Sequence, residues 1–239
     1  MKLDILALAA HPDDTELGCA GTLLLHISKG HQVGVVDLTR GELGTRGTAE
    51  IRDQEAADSA QLMGLSAREN LAFKDGFFIN NESHQLAIIQ KIRKYRPEIL
   101  LINAPRDRHP DHGRAAQLSV DASFLSGLKR IETKDENGEL QEVWRPNNVY
   151  HYIQSDYIEP DFIVDVTEHW EKKMKAIMAF KSQFYSENSN EPETYISSKL
   201  FIKSIEARAI DLGRTIGATY GEGFVKVRTL GVNSLFDLK

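Results

Sequence analysis

The sequence predicts an α/β fold in which a mostly parallel sheet is flanked by helices. Short apolar runs alternate with helical patterns through the first half of the chain, the order that builds parallel sheets. The first run, the helical stretch after it and the second run close within about thirty residues, the length of a βαβ crossover. No repeat or linker divides the 239 residues, so residues 1–239 are expected to form one domain.

Leu3–Ala10 reads as the first strand. Thr15–Lys29 reads as a helix carrying Leu17, Leu24, Leu25 and Ile27, with Gly30 as its stop. Gln32–Thr39 is the second strand. The glycine-rich loop Arg40–Gly47 either connects flexibly or brings backbone up to a ligand; its arginines and its glutamate favour the ligand. Ala49–Leu62 is helical and ends before Gly64. Asn70–Phe73 is a short strand closed by the turn Lys74-Asp75-Gly76. Leu86, Ile89, Ile92 and Tyr95 recur at helical spacing, which makes Gln85–Tyr95 a helix that Pro97 stops. Glu98–Ala104 is a buried strand, and His112–Ser126 is helical. Lys129 to Arg145 is charged, turns at Asn137-Gly138 and reads as an exposed hairpin or excursion. Asn148–Ile153 and Phe162–Val166 are strands on either side of Pro160. Glu168–Ser182 and Ile196–Leu212 are helices, and Gly223–Val227 is the last strand. The polar stretch Ser186–Thr194 is expected to be a mobile loop.

Bulk properties narrow the partners. A net charge of −6 argues against a nucleic-acid footprint, which is basic. Cys19 is the single cysteine, so no internal disulfide forms, and a reducing, cytoplasmic setting is expected. Flanked by Gly18, Ala20 and Gly21, Cys19 reads as a small residue packed on the sheet. Met1-Lys2 is a poor n-region, and the first apolar run stops at His11, well short of a spanning helix. No membrane partner is expected.

Two turns carry the chemistry. Ala10-His11-Pro12-Asp13-Asp14 follows the first strand, and Arg108-His109-Pro110-Asp111-His112 follows the strand that ends at Ala104. Open α/β sheets place their sites outside the carboxyl ends of the strands. His11 and Asp14 are three residues apart, so one turn can bring an imidazole and a carboxylate onto a single ion. A catalytic zinc keeps three protein ligands and an open position for water. His11, Asp14 and His112 supply that set, which also suits Fe(II). Asp13 can then accept a proton from water. A protonated His109 can stabilise an oxyanion and serve a leaving amine. Asp111 can orient an imidazole and keep the His109 proton in place. Each cluster alone also suits a helix start, where aspartates cap and join the first turn. The same His-Pro-Asp core after two apolar strands favours chemistry. His26, His31, His84, His151 and His169 lack partners at ligand spacing and read as surface or core residues. There is no Gly-x-Ser-x-Gly elbow, His-Glu-x-x-His, P-loop or Gly-x-Gly-x-x-Gly fingerprint.

Ala10-His11-Pro12-Asp13-Asp14 with His109-Pro110-Asp111-His112 resembles the LmbE/PIG-L family of metal-dependent N-acetylglucosaminyl deacetylases. The resemblance extends to Asp37-Leu38-Thr39 before the glycine-rich loop, Arg52 in the next helix, and Tyr220-Gly221-Glu222-Gly223-Phe224. It covers essentially the whole chain. It implies a Rossmann-like domain with added β and α elements toward the C-terminal end. It places zinc ligands on His11, Asp14 and His112, the general base on Asp13, and the oxyanion-stabilising histidine on His109. Glu50-Ile51-Arg52 and Asp107-Arg108-His109-Pro110-Asp111-His112 look like the branch that deacetylates N-acetylglucosaminyl malate in bacillithiol biosynthesis. That branch is often hexameric, which makes a homo-oligomer the expectation here.

Substrate contacts are expected from Glu42, Arg46, Arg52, Asp75, Arg108 and Tyr195. Arg52 and Arg108 suit the malate carboxylates, which a guanidinium binds through two parallel hydrogen bonds. Asp75 suits a sugar hydroxyl, and Tyr195 is expected to close over the site. Competing expectations are a chitooligosaccharide deacetylase, a thiol-conjugate amidase, and a non-enzymatic sugar- or nucleotide-binding protein.

Overall fold

A computed structural model of the chain describes residues 1–185, 187 and 190–237. Three residues of the expected mobile loop, Ser186, Asn188 and Ser189, lie outside the described residues. The strands are β1 (Ile5–Ala9), β2 (Val33–Thr39), β3 (Ala67–Phe73), β4 (Ile99–Ile102), β5 (Asn148–Tyr152), β6 (Phe162–Asp165) and β7 (Gly221–Lys226). The helices are α1 (Asp14–Ser28), α2 (Ala49–Met63), α3 (Glu82–Tyr95), α4 (Pro110–Leu125), α5 (Trp170–Met178) and α6 (Lys199–Thr215).

All seven strands join one sheet in the order β3-β2-β1-β4-β5-β7-β6. The first five pair in parallel. Strand β7 runs antiparallel to both of its neighbours. The α/β expectation and the C-terminal additions therefore hold. Chain direction across the sheet reverses at β1: β2 lies on one side of it and β4 on the other. The crevice above that point is where such sheets bind ligands.

Alternation along β1 explains the two-sided core. Leu6 and Leu8 face the layer of α3 and α4, with Ile88, Ile92, Leu118 and Ala122. Ile5 and Ala7 face the layer of α1 and α5, with Cys19, Leu23 and Ala176. Burial on both faces is what gives parallel strands their continuous apolar runs. The small residues of α1 let it lie close to the sheet. A Cβ on Gly18 would fall 2.3 Å from the Tyr152 ring, and one on Gly21 would fall 2.7 Å from Val166. Cys19 is fully buried between them.

Several element bounds shift from expectation by two to four residues, and that of β3 has a clear physical reason. Strand β3 begins at Ala67, because Ala67, Arg68 and Glu69 pair with Gly34, Val35 and Val36 of β2. Its charged residues hide the strand pattern. Residues 129–145 form the expected exposed excursion, closed by a single antiparallel bridge, Lys134 to Leu140. They are tied to α3 by Arg93, whose Nη1 donates to the Ile131 carbonyl at 2.7 Å and to Thr133 Oγ1 at 2.8 Å. Among the described residues, no helix is long and apolar enough to cross a membrane.

Two buried charge networks hold α1. Arg68 donates to Glu16 Oε1 at 2.6 Å and to both carboxylate oxygens of Asp37 at 2.8 and 3.1 Å. Glu222 accepts the backbone N–H groups of Gly21 and Thr22 at 2.9 and 2.7 Å. Lys173 bridges Glu222 Oε1 at 2.6 Å to the Leu17 carbonyl at 2.9 Å. The first network fixes the opening turn of α1 against β2 and β3. Replacing Arg68 with Met would strand two buried carboxylates. Removing one partner of such a network costs about 3–5 kcal/mol. Urea denaturation of Arg68→Met should show a loss of that size; a loss below about 1 kcal/mol would show that Glu16 and Asp37 do not need the guanidinium.

Candidate active site

Strands β1 and β4 are neighbours, with Ile5, Leu6 and Ala7 opposite Ile99, Leu100 and Leu101. The turns after them therefore meet. Asn103, just past β4, ties them together: its Oδ1 accepts the Ala10 N–H at 2.9 Å and its Nδ2 donates to Asp14 Oδ2 at 3.0 Å. Asp14 Oδ2 lies 3.6 Å from His11 Nδ1, and Asp14 Oδ1 lies 3.0 Å from His112 Nε2. The three expected metal ligands thus converge on one carboxylate. Gln154, at the end of β5, donates to Asp14 Oδ1 at 2.9 Å.

Each of these imidazoles has a carboxylate on its far nitrogen. His112 Nδ1–H donates to Asp107 at 2.5 Å, which turns its Nε2 toward Asp14. His11 Nε2 faces Asp75 at 3.0 Å and Asp111 at 3.3 Å, which leaves its Nδ1 toward Asp14. A carboxylate behind a histidine fixes its tautomer and makes it a better donor. Ring nitrogens of His11, His109 and His112 also lie within 4.8 Å of one another, as do ligand atoms of His11, Asp75 and Asp111.

The cluster favours positive charge. Burial alone would lower the His112 pKa, but Asp14 and Asp107 raise it to about 9. Burial likewise works against a charge on His11, and Asp111, Asp14 and Asp75 outweigh it. Burial raises Asp14, yet the two imidazoles hold it well below the usual carboxylate range. Two imidazoles and an ionised carboxylate in a cluster this acidic fit a divalent ion.

Asp13 stands apart from a helix cap. It precedes α1 with φ 110° and makes no side-chain capping bond. A left-handed backbone at a non-glycine residue is strained and persists where the surroundings over-determine it. Here Arg52, from α2, does so. Its Nη2 donates to the Pro12 carbonyl and to Asp13 Oδ2 at 3.1 Å, and its Nη1 donates to the Gly41 carbonyl at 3.3 Å. Burial raises the Asp13 pKa to about 7, with the Arg52 charge opposing the rise.

His109 lines the cavity over the site, beside His11 and His112. It caps α4, with its Nδ1 accepting the Asp111 N–H at 3.3 Å. Burial and the neighbouring imidazoles His11 and His112 hold its pKa below the ordinary value, and Asp111 offsets this only in part. With Nδ1 accepting the Asp111 N–H, Nε2 is the ring nitrogen left to donate. Asp111 directs its carboxylate elsewhere, to His11, to the Gly76 N–H at 2.8 Å and to Arg114 at 2.5 Å. Its expected role of orienting an imidazole falls on His11.

The expected substrate contacts divide. A cavity of about 500 Å³ opens over the site, and Arg46, Arg52, Asp75, Arg108 and Tyr195 line it. Glu42 does not; its carboxylate accepts the Asp75 N–H at 2.8 Å and pins the turn after β3. Asp75 is engaged by His11 and by the Leu43 N–H at 2.9 Å, so its carboxylate orients a histidine where a sugar hydroxyl was expected. Arg52 lines the cavity and is engaged by Asp13 and by the Pro12 and Gly41 carbonyls. Arg108 stacks its guanidinium 4.5 Å over the exposed Tyr195 ring. Asn103, Asp107 and Gln154 escape sequence reasoning. Of these, only Asp107, five residues before His112, leaves a local signal.

Comparison with known proteins places these residues in a wider set. The sequence model of PIG-L, GlcNAc-PI de-N-acetylase, matches residues 6–123, which include both turns. The chain is 28% identical over 233 residues to a diacetylchitobiose deacetylase of Thermococcus kodakarensis, covering 92% of this chain and 81% of that protein. It is 26% identical over 200 residues to a probable N-acetyl-α-D-glucosaminyl L-malate deacetylase of Bacillus subtilis, covering 77% and 84%. A conserved protein of Thermus thermophilus, known from its crystal structure, superposes with a TM-score of 0.84 at 33% identity over 97% of this chain and 98% of that one.

If His11 and His112 hold a divalent ion, His11→Ala and His112→Ala should each lose it, whereas Arg52→Gln should keep it. Elemental analysis of the purified proteins checks this. Full metal content in both histidine variants would remove them from the ligand set.

Proposed function

The chain belongs to the PIG-L/LmbE family of deacetylases, and from that premise we propose that it hydrolyses the N-acetyl group of an N-acetylglucosamine conjugate, N-acetylglucosaminyl malate foremost. The observation that carries the proposal is the Asp14 carboxylate shared by His11 and His112, with Asp13 beside it facing the cavity. The ion proposed there is zinc, with Fe(II) as the alternative. Held by His11, Asp14 and His112, it would polarise the amide carbonyl and acidify a water.

The protein's own groups supply the rest. Asp13 takes a proton from the water as its oxygen bonds to the carbonyl carbon. Arg52 keeps that carboxylate aimed and prevents it from folding back to cap α1. His109 offers its Nε2–H to the carbonyl oxygen as negative charge develops there. When the carbon–nitrogen bond breaks, Asp13 returns its proton to the departing amine, giving acetate and the free amino sugar. Asp75 and Asp107 hold the two imidazoles in the tautomers this arrangement needs.

The malate conjugate is favoured by cationic side chains on the cavity wall, Arg108 among them. Diacetylchitobiose is the second substrate reading, supported by the length of the match to the Thermococcus enzyme. Acetate release from N-acetylglucosaminyl malate, diacetylchitobiose and N-acetylglucosamine, measured side by side, ranks them. The malate conjugate should have the highest kcat/KM; a higher value for diacetylchitobiose would reverse the ranking.

Two variants test the roles. Asp13→Asn should retain metal and lose about 10²–10⁴ in kcat, the range of a lost general base. His109→Ala should retain metal and lose about 10²–10³, the range of one oxyanion donor. Near-normal turnover in either variant would reassign that step.

A further inference from the structure

Helix α6 turns one face to the cavity, presenting Phe201, Ile205, Arg208 and Leu212 at successive turns. Among the described residues, Arg208 is the charged member of that otherwise apolar or small stripe. It is half-buried, and its Nη2 donates to the Ser155 carbonyl at 2.7 Å, which fixes the guanidinium. It forms no ion pair among the described residues. Burial works against its charge more than the nearby Asp107, Tyr195 and Asp156 support it. A guanidinium held in an apolar wall without an acidic partner lacks the counter-ion that such a charge ordinarily finds.

Arg108 reaches the same cavity from the turn after β4 and stacks on Tyr195, which neighbours Arg208 as well. Asp13, Asp14 and Asp75 line the cavity near His11, with Arg52 paired to Asp13 and Asp111 behind His11, while Arg108 and Arg208 stand beside Tyr195. We propose that Arg208, with Arg108, forms the subsite for a carboxylate on the part of the substrate beyond the sugar. Arg208 adds to Arg52 and Arg108 among the guanidiniums that line the cavity. A carboxylate placed there gains charge-assisted hydrogen bonds that a neutral sugar cannot make. The inference deepens the deacetylase reading and rests on it for the identity of the reaction, but not for the binding of the anion.

Two measurements on the full-length protein separate these. Titration calorimetry with L-malate alone reads the subsite without catalysis. Wild-type protein should bind it, Arg208→Gln should weaken binding at least tenfold, and Arg208→Lys should fall between, since an ammonium keeps the charge but not the fork. Alongside, the ratio of kcat/KM for N-acetylglucosaminyl malate to that for N-acetylglucosamine should drop at least tenfold in Arg208→Gln. Undetectable malate binding by the wild type, or equal affinity in Arg208→Gln, would overturn the subsite, as would equal losses on both substrates. If the wild type hydrolyses neither substrate, the deacetylase reading fails, and malate affinity still decides the subsite.

Discussion

Asp14 is the residue on which the rest of the site depends. One of its oxygens faces His11 from its own turn, and the other faces His112 from a turn almost a hundred residues later. That contact exists because β1 and β4 are adjacent and parallel, so the turns at their carboxyl ends share one crevice. Asn103, Gln154 and the His11 backbone N–H also donate to this carboxylate. A carboxylate this constrained cannot rotate away from its imidazoles. The geometry is set by the sheet, a rigid element, and not by a loop.

The neighbours of Asp14 are arranged so that each group has one task. Asp75 and Asp107 sit behind the two histidines. Arg52 sits behind Asp13 and draws it away from the capping position that an aspartate before a helix usually takes. The strained φ of Asp13 belongs to the same arrangement. Its turn runs from β1 into α1, and α1 is gripped along its length by Arg68, Lys173 and Glu222. Strain at the base is therefore supported by charge networks on the turns of α1 that follow it.

The strands and both His-Pro-Asp turns were legible in the sequence because they are local patterns. Apolar runs mark β1, β2 and β4, and the turn residues directly follow β1 and lie just beyond β4. Strand β3 was shortened because Arg68 and Glu69 break its apolar pattern, although both have partners in the fold. Arg52, Asp75 and Glu42 were recognised as polar residues near the site, but their partners were not. An arginine held by Asp13 and an arginine free for a substrate carboxylate look identical in sequence. The surroundings of His109 are hidden for a similar reason. Its charge depends on burial and on His11 and His112, none of which adjacency to Asp111 reveals. Arg208 went unnoticed because its significance lies in the cavity that its helix faces.

The most direct test of the account is anomalous diffraction at the zinc edge from crystals of the zinc-loaded protein. The account predicts one ion bonded to His11 Nδ1, an oxygen of Asp14 and His112 Nε2, with Asp75 still on the far nitrogen of His11. An ion bonded instead to His11, Asp75 and Asp111, or one that leaves Asp14 uncoordinated, would contradict it.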